Sequence, residues 1–237
     1  MNIAVVICAA GASSRMKSEG SLTRKKEYEK LNNGNTVLGT AAAVFASVSD
    51  VQVIVISVPE NGENAAREAL PANLLSSKKP KLLFVTGGST RQRSVFNALS
   101  VLADYSPDYA LIHDGARPWV SSSLIENIIT AVKKYNAVIP LLPLTDTPKE
   151  CESSLEAQAC GASAVFIKTH LRRKNTGIAQ TPQAFKFPEI LAAHKKAAAE
   201  NEEFTDDAEI WGRFCGQVAV VSGEPKNKKI TFSEDLI

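Results

Sequence analysis

Ile3-Ala4-Val5-Val6-Ile7-Cys8-Ala9-Ala10-Gly11-Ala12-Ser13-Ser14-Arg15 opens the chain as an apolar run that breaks into small residues and then into cations, Arg15, Lys17, Arg24, Lys25 and Lys26. A buried strand that ends in such a loop leaves backbone N–H groups unblocked by side chains, and these groups bind phosphate oxygens. Cations just beyond the loop neutralise what it holds, so the stretch reads as a site for a polyphosphate, most naturally a nucleotide. A secretory h-region is rejected, because no Lys or Arg precedes the run. A dinucleotide-binding turn lacks its second and third glycines, and the next strand, Gln52 to Ser57, ends without the carboxylate that holds a ribose. On the loop alone, an ordinary strand-to-helix turn beside a solvated basic segment stays open.

Working outward, short apolar strands alternate with helical patterns, the signature of a parallel sheet covered on both faces. The spacing predicts strands at Ile3–Cys8, Gln52–Val58, Lys81–Val85, Tyr109–His113, Ala137–Leu142 and Val218–Val221. It predicts helices at Thr36–Ser47, Glu60–Leu70, Thr90–Leu102, Ser121–Lys134, Pro188–Asn201 and Asp206–Phe214, with Ser121 to Ser123 and Thr205 the clearest caps. No internal repeat or low-complexity linker interrupts the chain, so one domain over residues 1–237 is expected.

Leu144 to Thr181 departs from the alternation. It is polar, holds Val165-Phe166-Ile167 as a short strand, and is too long for a plain loop in a compact domain. A two-stranded arm docking on a second copy would bury its apolar residues and make a symmetric dimer; a small subsheet folded back on its own domain is the alternative.

Composition narrows the function classes. Of 237 residues 44% are hydrophobic, enough for a substantial core, and the net charge of +2 gives no global case for nucleic acid or membrane. No apolar run approaches the ~18 residues needed to span a bilayer. Cys8, Cys151, Cys160 and Cys215 are scattered without a CxxC pair, and read as reduced thiols of a cytoplasmic protein. His113, His170 and His194 form no metal-ligand cluster.

Three further segments carry chemistry. His113-Asp114-Gly115-Ala116-Arg117-Pro118 follows a strand, and in open α/β sheets the carboxyl ends of strands line the ligand crevice. Asp114 is a candidate ligand for Mg²⁺ held against phosphate oxygens, and Arg117 a candidate bidentate phosphate grip; a buried Asp–Arg pair bracing the strand end is the alternative. Gly87-Gly88-Ser89-Thr90-Arg91-Gln92-Arg93-Ser94 is a second strand end, where two glycines permit close approach to a flat base and Ser94 reaches inward, although Gly-Gly-Ser is also common turn chemistry. Asn227-Lys228-Lys229-Ile230-Thr231 places a lysine in a β-prone stretch, where a solvated charge run is the commoner explanation.

Ala9-Ala10-Gly11 through Arg15-Met16, Lys26-Glu27-Tyr28, Gly87-Gly88 to Arg91 and Ser94, His113 to Pro118, Asp146-Thr147, Thr181-Pro182-Gln183 and Lys229-Ile230-Thr231 occur together in the order of one family. Over nearly its whole length the chain resembles the 2-C-methyl-D-erythritol 4-phosphate cytidylyltransferases, with the ribitol-5-phosphate cytidylyltransferases as close relatives. The resemblance implies an α/β fold, a three-layer αβα Rossmann-like nucleotidyltransferase domain with a mostly parallel sheet and a protruding β-arm for dimerisation. It implies transfer of a cytidylyl group from CTP to a polyol phosphate with release of pyrophosphate, using Mg²⁺ or another divalent cation and no covalent enzyme intermediate. By motif position, Ala10, Gly11, Ala12 and Ser13 with Arg15 and Lys26 would hold the triphosphate. Gly88, Ser89 and Ser94 would surround cytosine and ribose, Asp114 would organise the metal, and Lys229 would stabilise charge on the α-phosphate. Arg117, Thr147, Arg173 and Thr181 would receive the polyol phosphate, some of them across a homodimer interface.

The chain departs from the family pattern at several positions. Ser13 stands where many members have a second glycine, about four extra residues lengthen the loop around Glu19 to Arg24, and Ser89 replaces an Asp found in some members. Lys226 stands near a position often acidic, and with the chain stopping at Ile237 a monofunctional form is expected. The leading expectation is the methylerythritol 4-phosphate enzyme of non-mevalonate isoprenoid precursor synthesis. Ribitol-5-phosphate cytidylylation, a sugar-1-phosphate nucleotidyltransferase and a nucleotide-binding module without catalysis are the alternatives.

Overall fold

The apolar run at the N-terminus is β1 (Ile3–Cys8), and its side chains alternate between two cores. A computed structural model describes residues 1–11, 25–153, 164–200 and 202–236. The remaining strands are β2 (Val51–Val58), β3 (Lys81–Thr86), β4 (Tyr109–Asp114), β5 (Ala137–Pro143), β6 (Lys149–Cys151), β7 (Ile167–His170), β8 (Gly177–Ala179), β9 (Gln183–Lys186) and β10 (Ala219–Ser222). The helices are α1 (Val37–Ala46), α2 (Glu63–Glu68), α3 (Ala72–Ser76), α4 (Arg91–Leu102), α5 (Ser122–Tyr135), α6 (Phe187–Glu200) and α7 (Asp207–Phe214).

The main sheet runs β10-β5-β9-β4-β1-β2-β3, with β8 paired to β5. It is parallel except where β9 and β8 run antiparallel to their neighbours. Ile3, Val5 and Ile7 face one core with Leu38 and Phe45 of α1 and Ile125 and Ile128 of α5. Ala4 and Val6 face the other, with Val95 and Leu99 of α4, Ile190 of α6 and Trp211 of α7. Burial on both faces explains why β1 reads as an unbroken apolar run and β2 as one interrupted only by Gln52 and Ser57, rather than as alternating patterns.

Helix starts follow from cap chemistry. Thr36, Thr90 and Ser121 each accept the N–H of the residue three positions on, at 2.9, 3.1 and 3.0 Å. At α7 the cap is Asp206, which accepts from the Glu209 N–H at 2.9 Å, and Thr205 instead gives its N–H and hydroxyl to the Glu209 carboxylate. The helix expected at Glu60–Leu70 is the shorter α2, which ends at Glu68 ahead of Pro71, and a second short helix, α3, starts only after that proline.

The expected excursion is shorter than its sequence suggests. β6 and β7 pair as a two-stranded unit outside the main sheet, and the strand expected at Val165–Ile167 is Ile167–His170. β8 has already rejoined β5, and β9 fills the gap between β4 and β5. With only Gln-Ala-Phe-Lys to show, β9 is too short for a period to register in sequence.

Candidate functional site

The register of β1 against β4 sets Cys8 beside Asp114 at the carboxyl ends of both strands. The Gly115 N–H then donates to the Cys8 carbonyl at 2.9 Å, and a Cβ at Gly115 would lie 2.8 Å from that oxygen. Close passage of the chain over β1 therefore requires glycine in the Asp-Gly-Ala-Arg-Pro segment. Gly87 is constrained similarly, since its Cβ would lie 2.4 Å from Ala10 Cβ. Three strand ends thus converge on the loop that begins at Ala10 and Gly11.

Asp114 is the centre of the charge arrangement. Its Oδ1 lies 3.2 Å from Arg91 Nε, its Oδ2 lies 2.8 Å from Lys229 Nζ, and Arg117 Nε stands 3.8 Å from Oδ2. Burial alone would raise this carboxyl's pKa, but Arg91, Lys229 and Arg117 outweigh it and hold the group well below the usual carboxylate range. The same surroundings leave the neighbouring Cys8 thiol inert: burial pushes its pKa up to about 12.

Behind Asp114, His113 is fully buried. Its Nε2 lies 3.0 Å from the Arg117 carbonyl, an acceptor only, so Nε2 carries the proton. Nδ1 then accepts from the Thr181 hydroxyl at 3.0 Å, and the same oxygen accepts the Asp114 N–H at 3.0 Å. Thr181 thereby fixes both the tautomer of His113 and the backbone of Asp114. Burial pulls the His113 pKa down from 6.5 to about 4, so the folded protein keeps it neutral while the unfolded chain binds a proton. Its contribution to stability is complete above pH 6.5 and is lost as pH falls toward 4, on the order of 3 kcal/mol in all. Urea unfolding at pH 7 and pH 5 is expected to show most of that loss, and His113→Gln to remove it; an undiminished pH dependence in the variant would sink the assignment.

The C-terminal segment docks on the same frame. Asn227 Nδ2 donates to the Thr181 carbonyl at 2.8 Å, and the Asn227 carbonyl accepts from Arg117 Nη1 at 2.8 Å. The Ile230 N–H donates to the Ala116 carbonyl at 2.8 Å, and Lys26 Nζ to the Ile230 carbonyl at 2.9 Å. Buried Asn227 and Ile230 flank exposed Lys228 and half-buried Lys229, so alternate anchoring aims Lys229 at Asp114. Lys25 Nζ donates to the Ala10 and Gly11 carbonyls at 2.9 and 2.5 Å, which sets a second cation at the mouth of the loop.

The structure thus brings together Ala10, Gly11, Lys26, Asp114, Arg117, Thr181 and Lys229. Arg117 is buried and braces the Asn227 turn. Ser94 is buried too: its hydroxyl donates to the Thr90 carbonyl at 2.9 Å and accepts the Gly88 N–H at 3.0 Å, locking the Gly87-Gly88 turn to α4. Ser89 is exposed on that turn. Thr147 and Arg173 lie on the excursion, both exposed, with Arg173 Nη1 on the Thr145 carbonyl at 2.7 Å. Ala12, Ser13, Arg15 and Cys160 lie outside the described residues.

Sequence reasoning quoted Arg91, Gln183 and Asn227 without a role and missed Asp207. Among the described residues no three His, Cys, Asp or Glu cluster as a self-sufficient metal cage. Mg²⁺ takes only one or two protein carboxylates and completes its shell with phosphate oxygens and water, so the ionised, cleft-facing Asp114 is the residue that could hold it.

The family model described as "IspD: 2-C-methyl-D-erythritol 4-phosphate cytidylyltransferase" matches residues 3–237. A bifunctional enzyme IspD/IspF of Bartonella henselae is 37% identical over 238 residues, covering 100% of this chain and 55% of the relative. One from a Bradyrhizobium species is 38% identical over 244 residues, covering 99% and 54%. The chain spans about half the length of these curated relatives. Among solved structures, 4-diphosphocytidyl-2C-methyl-D-erythritol synthase from Anaerococcus prevotii superposes with a TM-score of 0.79 at 28% identity, covering 99% of this chain and 94% of that one. The 2-C-methyl-D-erythritol 4-phosphate cytidylyltransferase of Francisella tularensis gives 0.78 at 28% identity, covering 100% and 97%.

Proposed function

Because the chain belongs to the 2-C-methyl-D-erythritol 4-phosphate cytidylyltransferase family, we propose that it transfers CMP from CTP to 2-C-methyl-D-erythritol 4-phosphate. The products are 4-diphosphocytidyl-2-C-methyl-D-erythritol and pyrophosphate, a step of non-mevalonate isoprenoid precursor synthesis. The observation that carries the reading is the meeting of Asp114, Lys229 and Arg91 at the carboxyl end of the sheet, with Lys26 hydrogen-bonded beside Lys229.

The chemistry is in-line displacement. An oxygen of the acceptor phosphate bonds to the α-phosphorus of CTP, the bond from that phosphorus to the bridging oxygen breaks, and the electron pair leaves with pyrophosphate. Positioning and charge stabilisation are what a protein supplies to such a step. The Ala10 and Gly11 backbone and Lys26 hold the triphosphate, with Ala12, Ser13 and Arg15 in the same role by motif. Gly88, Ser89 and Ser94 frame the base and ribose. Lys229 stabilises charge growing on the α-phosphate, and Arg117, Thr147, Arg173 and Thr181 serve the acceptor side directly or by positioning. Mg²⁺ held by Asp114 would neutralise phosphate charge when bound.

We also read residues 1–237 as one domain, cytoplasmic, and a homodimer through the β6–β7 arm. In support of the arm contact, Phe166 and Ile167 are 66% and 50% exposed, a costly place for apolar side chains in an isolated chain. Among the described residues no helix is long and apolar enough to cross a membrane.

The deciding experiment measures pyrophosphate release with CTP and Mg²⁺, comparing 2-C-methyl-D-erythritol 4-phosphate with ribitol 5-phosphate, and UTP as control. Selective turnover of the first acceptor is expected. Selectivity for ribitol 5-phosphate would move the protein to cell-wall polymer synthesis, and no release with either acceptor would overturn the reading.

A further inference from the structure

Behind the cleft, Arg91 is shared between two carboxylates. Its Nε lies 3.2 Å from Asp114 Oδ1 and its Nη2 lies 2.8 Å from Asp207 Oδ2. Asp207 Oδ1 in turn lies 3.1 Å from His194 Nε2, and both Asp207 and His194 are completely buried. Facing a carboxylate, Nε2 of His194 must carry a proton and donate it. Asp207 sits in the first turn of α7, where the helix dipole favours negative charge. Its carboxyl is held below its ordinary range because Arg91 and the His194 contact outweigh the burial that would raise it.

The same short segment registers both carboxylates. Thr181 accepts the Asp114 N–H, while two residues on Gln183 donates from Nε2 to Asp206 Oδ2 at 2.8 Å and accepts the Ala208 N–H at Oε1 at 3.1 Å. Thr181-Pro182-Gln183 therefore sets the spacing of Asp114 and Asp207, and Arg91 spans it. A buried ion pair is poor value for stability alone, because desolvation offsets the attraction. What the second carboxylate adds is orientation: an arginine side chain with several rotors, held at Nε by one carboxylate and at Nη2 by another, no longer swings.

We propose that Asp207, backed by His194, is a positioning residue of the reaction, fixing Arg91 so that Arg91 occupies Oδ1 of Asp114 and leaves Oδ2 turned toward Lys229 and the cleft. The proposal rests on the cytidylyl-transfer reading above. Asp207→Asn keeps the volume and an acceptor for His194 but loses the hold on Arg91.

The test compares wild type, Asp207→Asn, Arg91→Met and the double variant. Rates are expressed per nucleotide-competent site, counted by calorimetric titration with CTP and Mg²⁺. Asp207→Asn is expected to lower kcat/KM about 30-fold, the scale of a small misplacement of reacting groups. In the Arg91→Met background the same change should cost less than twofold, because Asp207 acts through Arg91. A full additive loss in that background, or a single variant that matches wild type, overturns the proposal. Should Asp207→Asn not fold, His194→Gln and His194→Leu carry the test. Gln restores the N–H donor and is expected at least fivefold faster than Leu, and equal rates overturn it. No turnover by wild type overturns the reaction reading, and the proposal with it.

Discussion

Asp114→Asn is expected to lower kcat/KM for cytidylyl transfer by about a thousandfold, the loss typical of removing a preorganised electrostatic element from a water-poor site. Asp114 is only 8% exposed and is approached by Arg91, Lys229 and Arg117, so an amide there removes the anion the three cations share and leaves only Arg91 with another, Asp207. Two consequences separate in measurement. Stability should fall by about 3 kcal/mol, since breaking a buried pair from one side strands its partner charges. The rate per folded, CTP-competent molecule should fall far more, because the position of Lys229 is set by the missing oxygen. The sign of the pH effect is also fixed. With its folded pKa held well below 3.8, Asp114 contributes stability above that value and loses it only as pH falls below it. Wild type is therefore expected to show no activity loss near pH 5 that traces to Asp114. A variant within fivefold of wild type per competent site would remove Asp114 from the reaction and from any role with Mg²⁺.

How much of this was legible in sequence follows from where burial leaves a periodic trace. β1, β2 and β4 are buried on both faces and announce themselves as apolar runs. Thr36, Thr90 and Ser121 mark helix starts because each hydroxyl accepts an N–H three residues on, a local task whatever else it binds. Non-local tasks leave no such trace. Asp207 in the first turn of a helix reads as a dipole partner, and only the packed structure shows it buried against Arg91 and His194. Thr181 was expected on the acceptor side by motif, and its hydroxyl is engaged by His113 and Asp114, partners distant by 68 and 67 positions. Lys229 lies in what any local reading treats as a solvated charge run. Family resemblance singled it out, and the burial of Asn227 and Ile230 on either side supplies the physical reason.

Lys229→Ala is expected to lower kcat by about 100- to 1000-fold with the KM for CTP changed no more than about threefold. Among the cations around Asp114, Lys229 has the most exposed side chain, 37% against 30% for Arg91 and 10% for Arg117. The two arginines are also held from behind, by Asp207 and by the Asn227 carbonyl. Lys229 alone of the three combines a compact ammonium, a flexible stem and access to the cleft, which suits a charge that must follow the α-phosphate as negative charge grows on it. With Lys229 partly exposed and Asp114 still approached by Arg91 and Arg117, losing this lysine is expected to cost no more than about 1 kcal/mol of stability. The rate loss should therefore exceed anything unfolding could produce, and thermal melts of the variant should stay within a few degrees of wild type. Lys229→Arg keeps the charge in a bulkier fork and is expected to recover about tenfold of the lost rate. If Lys229→Ala keeps kcat within fivefold of wild type, stabilisation of the α-phosphate must come from another group. If instead KM rises while kcat holds, Lys229 binds nucleotide in the ground state and takes no part in the step where charge develops.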